Sequence, residues 1–144
     1  MIEKVTNVLS AWGMGFLLAA ISVAIFNNVV PGFYMHIFAE KMVSLSFLLY
    51  VCVVAPIGEE FVFRYIPLTL LRKTDLFEDN KWIFVTILAI VFGYSHGGYF
   101  NIFIQGIPGF FFGWVYIKNG MSYPSAVITH SLYNFVLSVV FPNI

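Results

Sequence analysis

Long apolar runs with almost no charge are the feature that most restricts how this chain can fold. Residues 8–30 include no Asp, Glu, Lys or Arg. As an α-helix this run is about 34 Å long, enough to cross the roughly 30 Å hydrocarbon core of a bilayer. Only 10% of the whole chain is charged and 60% is hydrophobic, whereas a soluble domain carries about 25% charged residues. The sequence therefore predicts an integral membrane protein.

Further apolar runs follow, separated by turn residues or hydrophilic segments. We predict spans at residues 42–71, 82–96, 102–117 and 124–141, an interfacial segment at 33–41 and a hydrophilic loop at 72–81. Spans of this length are helical, because a helix satisfies its backbone hydrogen bonds within its own segment. The predicted fold class is all-α, a polytopic membrane bundle of about five transmembrane helices. With no repeat or linker, we expect one transmembrane domain over residues 1–144.

The distribution of lysine and arginine predicts the orientation. With five spans, one side of the membrane receives Lys4, Arg72, Lys73, Lys81 and Lys118, and the other receives Lys41. Because positive residues mark cytoplasmic segments, we expect a multi-pass protein of the cell membrane with a cytoplasmic N-terminus. The first run exceeds the 7–15 apolar residues of a cleaved signal peptide, so we favour a retained span. The lipid bilayer is thus an expected partner, and a net charge of zero gives no reason to expect nucleic acid.

Three ionisable residues lie inside the second apolar run: Glu59, Glu60 and Arg64. Insertion scales assign a cost of about 2.5–3.5 kcal/mol to an ionised residue at the centre of a membrane helix. We therefore expect these side chains to face the bundle interior or a wet cavity. Glu60 and Arg64 are four residues apart and can pair on one helix face. Glu59 lies about 100° further round the helix, so it is the strongest functional candidate of the three.

Later spans add two histidines and an asparagine. His96 ends the third span, one helical turn after Phe92, and His130 lies inside the last span, one turn before Asn134. An interhelical hydrogen bond in a membrane contributes only about 0.6 kcal/mol on average, so a purely structural role explains this last pair poorly. A carboxylate can act as a general base, imidazoles can bind a metal or orient water, and an amide can stabilise an oxyanion. Together these residue types predict the activation of water.

Two glycine pairs have the spacing of close helix–helix contacts. Gly93 with Gly97, and Gly109 with Gly113, each form a GxxxG pattern. Glycine at such positions lets a neighbouring backbone approach. We interpret both patterns as packing within the bundle rather than as part of a functional site.

The order and spacing of the polar residues resemble the CPBP group, the CAAX proteases and bacteriocin-processing enzymes also called Abi proteins. The patterns of that group are EExxxR, FxxxH and HxxxN/D. Here they are EEFVFR starting at Glu59, FGYSH ending at His96 and HSLYN starting at His130. The segments GFFFGWVY and NGMSYPSAVITH also look like the family. The resemblance covers about residues 43–141, preceded here by the single span at 8–30.

This resemblance implies an all-helical intramembrane endopeptidase that hydrolyses a peptide bond of a membrane-associated peptide or protein. It implies that Glu59 is the general base and that His96 assists it. It also implies that His130 and Asn134 polarise the scissile carbonyl or bind its oxyanion. Glu60 and Arg64 would then orient these groups, with Phe92 packed beside the first histidine.

The resemblance leaves the cofactor and the substrate open. Family members are commonly called metalloproteases with zinc as the suggested ion, and the candidate ligands here are Glu59, His96 and His130. A metal-free mechanism that depends on glutamate is compatible with the same residue types. The expected substrates are prenylated CAAX tails or the leaders of bacteriocins and signal peptides.

Two other functions are compatible with the sequence. One is a catalytically silent binding protein, such as an immunity factor that sequesters a bacteriocin or its receptor, and it would work without cleavage. The other is a small proton- or ion-coupled carrier that uses Glu59 and His130 as a relay. The first predicts that protection survives Glu59→Gln and His130→Ala, and the second predicts pH-dependent flux in liposomes.

Overall fold

The computed structural model of the chain describes residues 1–29 and 44–140. Within these residues the fold consists of five helices and no strand: α1 (Ile2–Val29), α2 (Leu45–Leu71), α3 (Phe77–Ser95), α4 (Ile102–Lys118) and α5 (Tyr123–Val140). The predicted all-α fold class is confirmed. The interfacial segment predicted at 33–41 and the end of the last predicted span lie outside the described residues.

Two of these helices are long and apolar enough to cross a membrane. They span Ile2–Phe26 and Leu45–Leu71, and a shorter apolar helix spans Ile102–Lys118. Helices of this length and composition indicate association with a membrane. Five crossings and a cytoplasmic N-terminus stay predictions.

The hydrophilic segment at 72–81 is not all loop, and that prediction is wrong at its second half. Helix α3 already begins at Phe77, and its first turn carries Glu78 and Asp79. Carboxylates stabilise a helix N-terminus because the unpaired N–H groups there carry partial positive charge. Phe77 is buried in a cluster with Leu68 and Tyr116. Glu78 and Asp79 therefore belong to the first turn of α3, and the loop is confined to residues 72–76.

Helices α2 and α4 contain π-helical turns, and each turn ends two residues before a proline. The turns at Tyr50–Val54, Phe61–Tyr65 and Ile102–Gly106 precede Pro56, Pro67 and Pro108. Proline has no N–H and its ring clashes with the carbonyl four residues earlier, so regular helical bonding fails just before it. These turns therefore open carbonyl oxygens to donors from other helices.

Packing between the helices is closest where α3 meets the start of α4. A Cβ added to Gly93 would lie 2.8 Å from the backbone nitrogen of Gly106, so the predicted close approach is confirmed there. The prediction for Gly97 is wrong, because this residue follows the end of α3 and has φ +123°. Gly113 leaves room for the side chain of Val85. A Cβ added to Gly113 would lie 2.8 Å from Val85 Cγ1.

Candidate active site

Glu60 and Arg64 form a buried ion pair on one face of α2. Arg64 Nη1 lies 3.0 Å from Glu60 Oε1, and the two side chains are 1% and 0% exposed. Arg64 Nη2 also donates to the carbonyl oxygen of Gly109 on α4, at 2.8 Å. The ion pair that the four-residue spacing predicts is therefore present. The bond from Arg64 to Gly109 also connects this pair to α4.

His130 from α5 completes this buried group. Its Nδ1 lies 2.8 Å from Glu60 Oε1, and its ring stacks on Phe112 with centroids 4.5 Å apart. A carboxylate paired with an arginine is an acceptor, so we assign the hydrogen to Nδ1 of the histidine. In the neutral ring, Nε2 then carries a lone pair. Glu60, Arg64 and His130 are called the inner part of the site below.

Glu59 and His96 form the outer part of the site. Each of these side chains is 30% exposed. His96 Nδ1 lies 2.7 Å from the carbonyl oxygen of Phe92. Because a carbonyl only accepts, this Nδ1 donates, and the Nε2 of the neutral ring again carries a lone pair. The Phe92 ring packs against the His96 ring at 4.5 Å, as the resemblance implies.

The inner and outer parts meet at the carboxylate of Glu59. Glu59 Oε2 lies 3.7 Å from His96 Nε2 and 3.7 Å from His130 Nε2. This distance exceeds that of a direct hydrogen bond, yet all three atoms can contact one small molecule between them. A water molecule between them can donate its two hydrogens to two of these three acceptors. Five of the six predicted site residues are thus brought together.

The same three side chains are the ones predicted to bind zinc. Among the described residues, however, no group of three or more His, Cys, Asp or Glu side chains is arranged to hold a metal ion. No step proposed below passes through a metal, and zinc bound by Glu59, His96 and His130 stays a prediction.

Asn134 is directed at the backbone of α2. Its Nδ2 donates to the carbonyl oxygen of Val51 at 2.9 Å. Sequence reasoning expected Asn134 and His130 to aim at one point, but this amide is held by a carbonyl. An amide NH₂ group carries two hydrogens, so the bond to Val51 uses one of them.

Two residues of α4 that sequence reasoning left outside the site contribute to it. Phe112 stacks on His130, and the Arg64 guanidinium lies 5.7 Å from its ring centroid. Gly109 supplies a carbonyl to Arg64 and leaves no room for a side chain, since a Cβ would lie 2.8 Å from Arg64 Nη2. The signal that could have found both is the GFFFG segment, which we interpreted as packing alone.

The fold and the site define a helical, membrane-associated protein in which α2, α3 and α5 bring acidic, basic and imidazole side chains together. A family model described as type II CAAX prenyl endopeptidase Rce1-like matches residues 41–136. Because the match covers two thirds of the 144 residues, the chain belongs to this family. Membership confirms the resemblance to CAAX proteases and indicates, in general terms, an intramembrane endopeptidase. No curated protein and no solved structure matches the chain.

Proposed function

We propose that this protein hydrolyses a peptide bond of a membrane-associated peptide with a water molecule activated by Glu59. The observation that supports this is the pair of 3.7 Å distances from Glu59 Oε2 to His96 Nε2 and His130 Nε2. A water between these atoms can pass a proton to the carboxylate while His96 Nε2 accepts its other hydrogen and orients it. General acid–base catalysis of this kind contributes typically 10²–10⁴-fold to a rate.

Exposure and bonding favour Glu59 over Glu60 as the base. Glu60 is fully buried, and its Oε1 already accepts from Arg64 and His130. Its negative charge is therefore held in place by two donors. Glu59 is partly exposed, and among the described residues its ion-pair contacts are the two longer ones to His96 and His130. A base must be reachable by water and substrate, and of the two carboxylates Glu59 meets that condition.

In the proposed reaction the water oxygen attacks the scissile carbonyl carbon and Glu59 takes a proton from the water. His130 takes part in its doubly protonated form, in which Nε2–H donates to the oxyanion and Glu60 stabilises the positive charge. In that form the water donates to Glu59 and His96. The second amide hydrogen of Asn134 is the other donor to the oxyanion. The C–N bond then breaks, and the proton held by Glu59 passes to the leaving nitrogen with the help of His96.

The experiment that tests this proposal measures cleavage of a farnesylated peptide with a C-terminal CAAX sequence. Purified protein in liposomes should release the C-terminal tripeptide, identified by mass spectrometry. Glu59→Gln should keep the fold and lower kcat at least about 10²-fold. The matched control is Glu78→Gln, which removes an exposed carboxylate at the start of α3. Undiminished cleavage by Glu59→Gln would overturn the assignment of the base.

Assays on the same liposome preparation distinguish between the two substrate classes and test the other two functions. A leader peptide without a prenyl group replaces the farnesylated peptide in a parallel assay, and the faster substrate identifies the class. A silent binding protein would cleave neither peptide, and its protection of cells would survive Glu59→Gln. A carrier would show pH-dependent flux in the liposomes and no product.

The zinc prediction is tested by chelation. Because the proposed mechanism uses no metal, we expect kcat to be unchanged after treatment with 1,10-phenanthroline and dialysis. Loss of cleavage that added zinc restores would instead show that a metal takes part, with Glu59, His96 and His130 as its candidate ligands.

A further inference from the structure

The carbonyl oxygen of Val51 on α2 has no donor within its own helix. The Ala55 N–H, four residues on, donates to Tyr50 instead. The next residue is Pro56, which has no N–H. An unsatisfied carbonyl in a membrane costs several kcal/mol, so this oxygen favours a partner from another helix. The partner is Asn134 Nδ2, at 2.9 Å.

Helix α4 presents a second carbonyl of this kind to α5. Pro108 offers no N–H to the carbonyl oxygen of Ile104, four residues earlier. The hydroxyl of Tyr133 donates to that oxygen at 3.2 Å, and the tyrosine is 1% exposed. Tyr133 and Asn134 are consecutive and follow His130 by one helical turn. Helix α5 is therefore bonded to two other helices just beyond His130, each time at a carbonyl that lies four or five residues before a proline.

The third proline supplies a natural comparison. The Ile66 N–H donates to the carbonyl oxygen of Phe61. Pro67, the next residue, has no N–H, so the carbonyl oxygen of Val62 lacks a helix donor as Val51 does. No side chain within the described ranges donates to that oxygen. The opening at Pro67 therefore has no partner on α5.

We propose that Pro56 and Pro108 are positioning residues of the active site. They open the carbonyls that hold Asn134 and Tyr133, and these two bonds set the rotation of α5 about its axis. That rotation directs His130 Nε2 toward Glu59 and leaves the second amide hydrogen of Asn134 for the substrate. The inference rests on the proposed function, because it concerns how two groups of the same site are aimed.

A double-mutant cycle tests the coupling of Pro56 to Asn134. Pro56→Ala restores an N–H that bonds within α2 and competes with the amide for the Val51 carbonyl. On the farnesylated peptide we expect this variant to lower kcat about tenfold, within the 10²-fold that a misplaced group can cost, with little change in KM. Asn134→Ala should lower kcat about 10²-fold, as for loss of one oxyanion donor. The double variant should be no slower than Asn134→Ala alone.

Pro67→Ala is the matched control for this cycle. It restores an N–H after the other π-helical turn of α2, where α5 supplies no donor. Its effect on kcat should be the same with Asn134 present or absent. Equal effects of Pro56→Ala in both backgrounds would overturn the proposal, even if wild-type protein cleaves and Glu59→Gln does not.

A second measurement needs neither catalysis nor a proline variant. In the full-length chain labelled with ¹⁵N-asparagine, the side-chain amide of Asn134 is identified by its loss in Asn134→Ala. We expect two distinct proton shifts, one of them slow to exchange with deuterium. Rapid exchange of both protons would show that the Val51 bond does not persist and would overturn the proposal. This result is independent of whether the protein is a protease.

Discussion

The inner and outer parts of the site hold similar residue types in opposite surroundings. In the inner part, Glu60 and Arg64 are buried, and the polar contacts to Glu60 Oε1 are 3.0 Å or shorter. In the outer part, Glu59 and His96 are each 30% exposed, and the carboxylate stands 3.7 Å from the imidazole. Adjacent glutamates in the sequence therefore have different roles: one is bound by fixed donors, and the other is open to water.

This difference shows how a small bundle accommodates charge. Burying an ion costs several kcal/mol unless a partner and further hydrogen bonds compensate. Arg64 is the ionic partner of Glu60. Its guanidinium also donates to the Gly109 carbonyl and lies over the rings of Phe92 and Phe112. The outer carboxylate needs less compensation because water reaches it. The buried Glu60–Arg64 pair should thus govern stability, and the outer part should govern turnover together with His130.

The largest expected effect on stability comes from breaking the inner pair. Arg64→Met would leave the Glu60 charge buried without its partner, which typically costs 3–5 kcal/mol. Unfolding of the purified protein in detergent should show a loss of about that size. Arg72→Met, at the exposed end of α2, is the control and should leave unfolding unchanged. An Arg64→Met protein as stable as wild type would erase the proposed division between the two parts.

Removing the outer histidine should act on turnover instead. His96→Ala should lower kcat by about 10²-fold, at the low end of acid–base contributions. Its unfolding should change little, because the ring is partly exposed and its Nδ1 contacts only groups near in sequence, the Phe92 carbonyl oxygen at 2.7 Å and Ser95 Oγ at 3.5 Å among the described residues. Thr86→Ala, on an exposed part of the same helix, should change neither quantity. If His96→Ala unfolds as readily as Arg64→Met, the outer part is structural too.

The smallest effect is expected at an ion pair far from the site. Lys81 donates to Glu78 at 2.8 Å, and this bond lowers the pKa of Glu78 below its ordinary value. Since the pKa is lower in the folded state, the pair stabilises the fold above the unfolded pKa. That stabilisation disappears as pH falls through the folded pKa. Because Glu78 is 74% exposed and surface pairs contribute little, Glu78→Gln should not shift Tm at neutral pH.

Local spacing made much of the fold and the inner pair predictable. Runs of apolar residues predict helices because a bilayer requires them, and Glu60 with Arg64 follows from the helical repeat. The start of α3 at Phe77 was missed because acidic residues also stabilise the first turn of a helix and so do not by themselves indicate a loop. Hydrophilicity alone does not separate these two cases.

Partners that depend on a distant backbone could not be predicted in this way. Asn134 bonds Val51 because Pro56 and a π-helical turn expose that carbonyl, and nothing in the sequence around Asn134 indicates it. Gly109 likewise has a GxxxG spacing that predicts packing, while its role at Arg64 depends on which helix crosses there.

Chemical rescue tests most directly the claim that Glu59, and not its buried neighbour, is the base. Glu59→Ala and Glu60→Ala are assayed on the farnesylated peptide with increasing formate, a small carboxylate that can replace a missing one where water enters. We predict that formate restores cleavage by Glu59→Ala in a concentration-dependent way and leaves Glu60→Ala inactive. A folded Glu59→Ala protein that formate does not rescue, beside a Glu60→Ala protein that it does, would contradict the account.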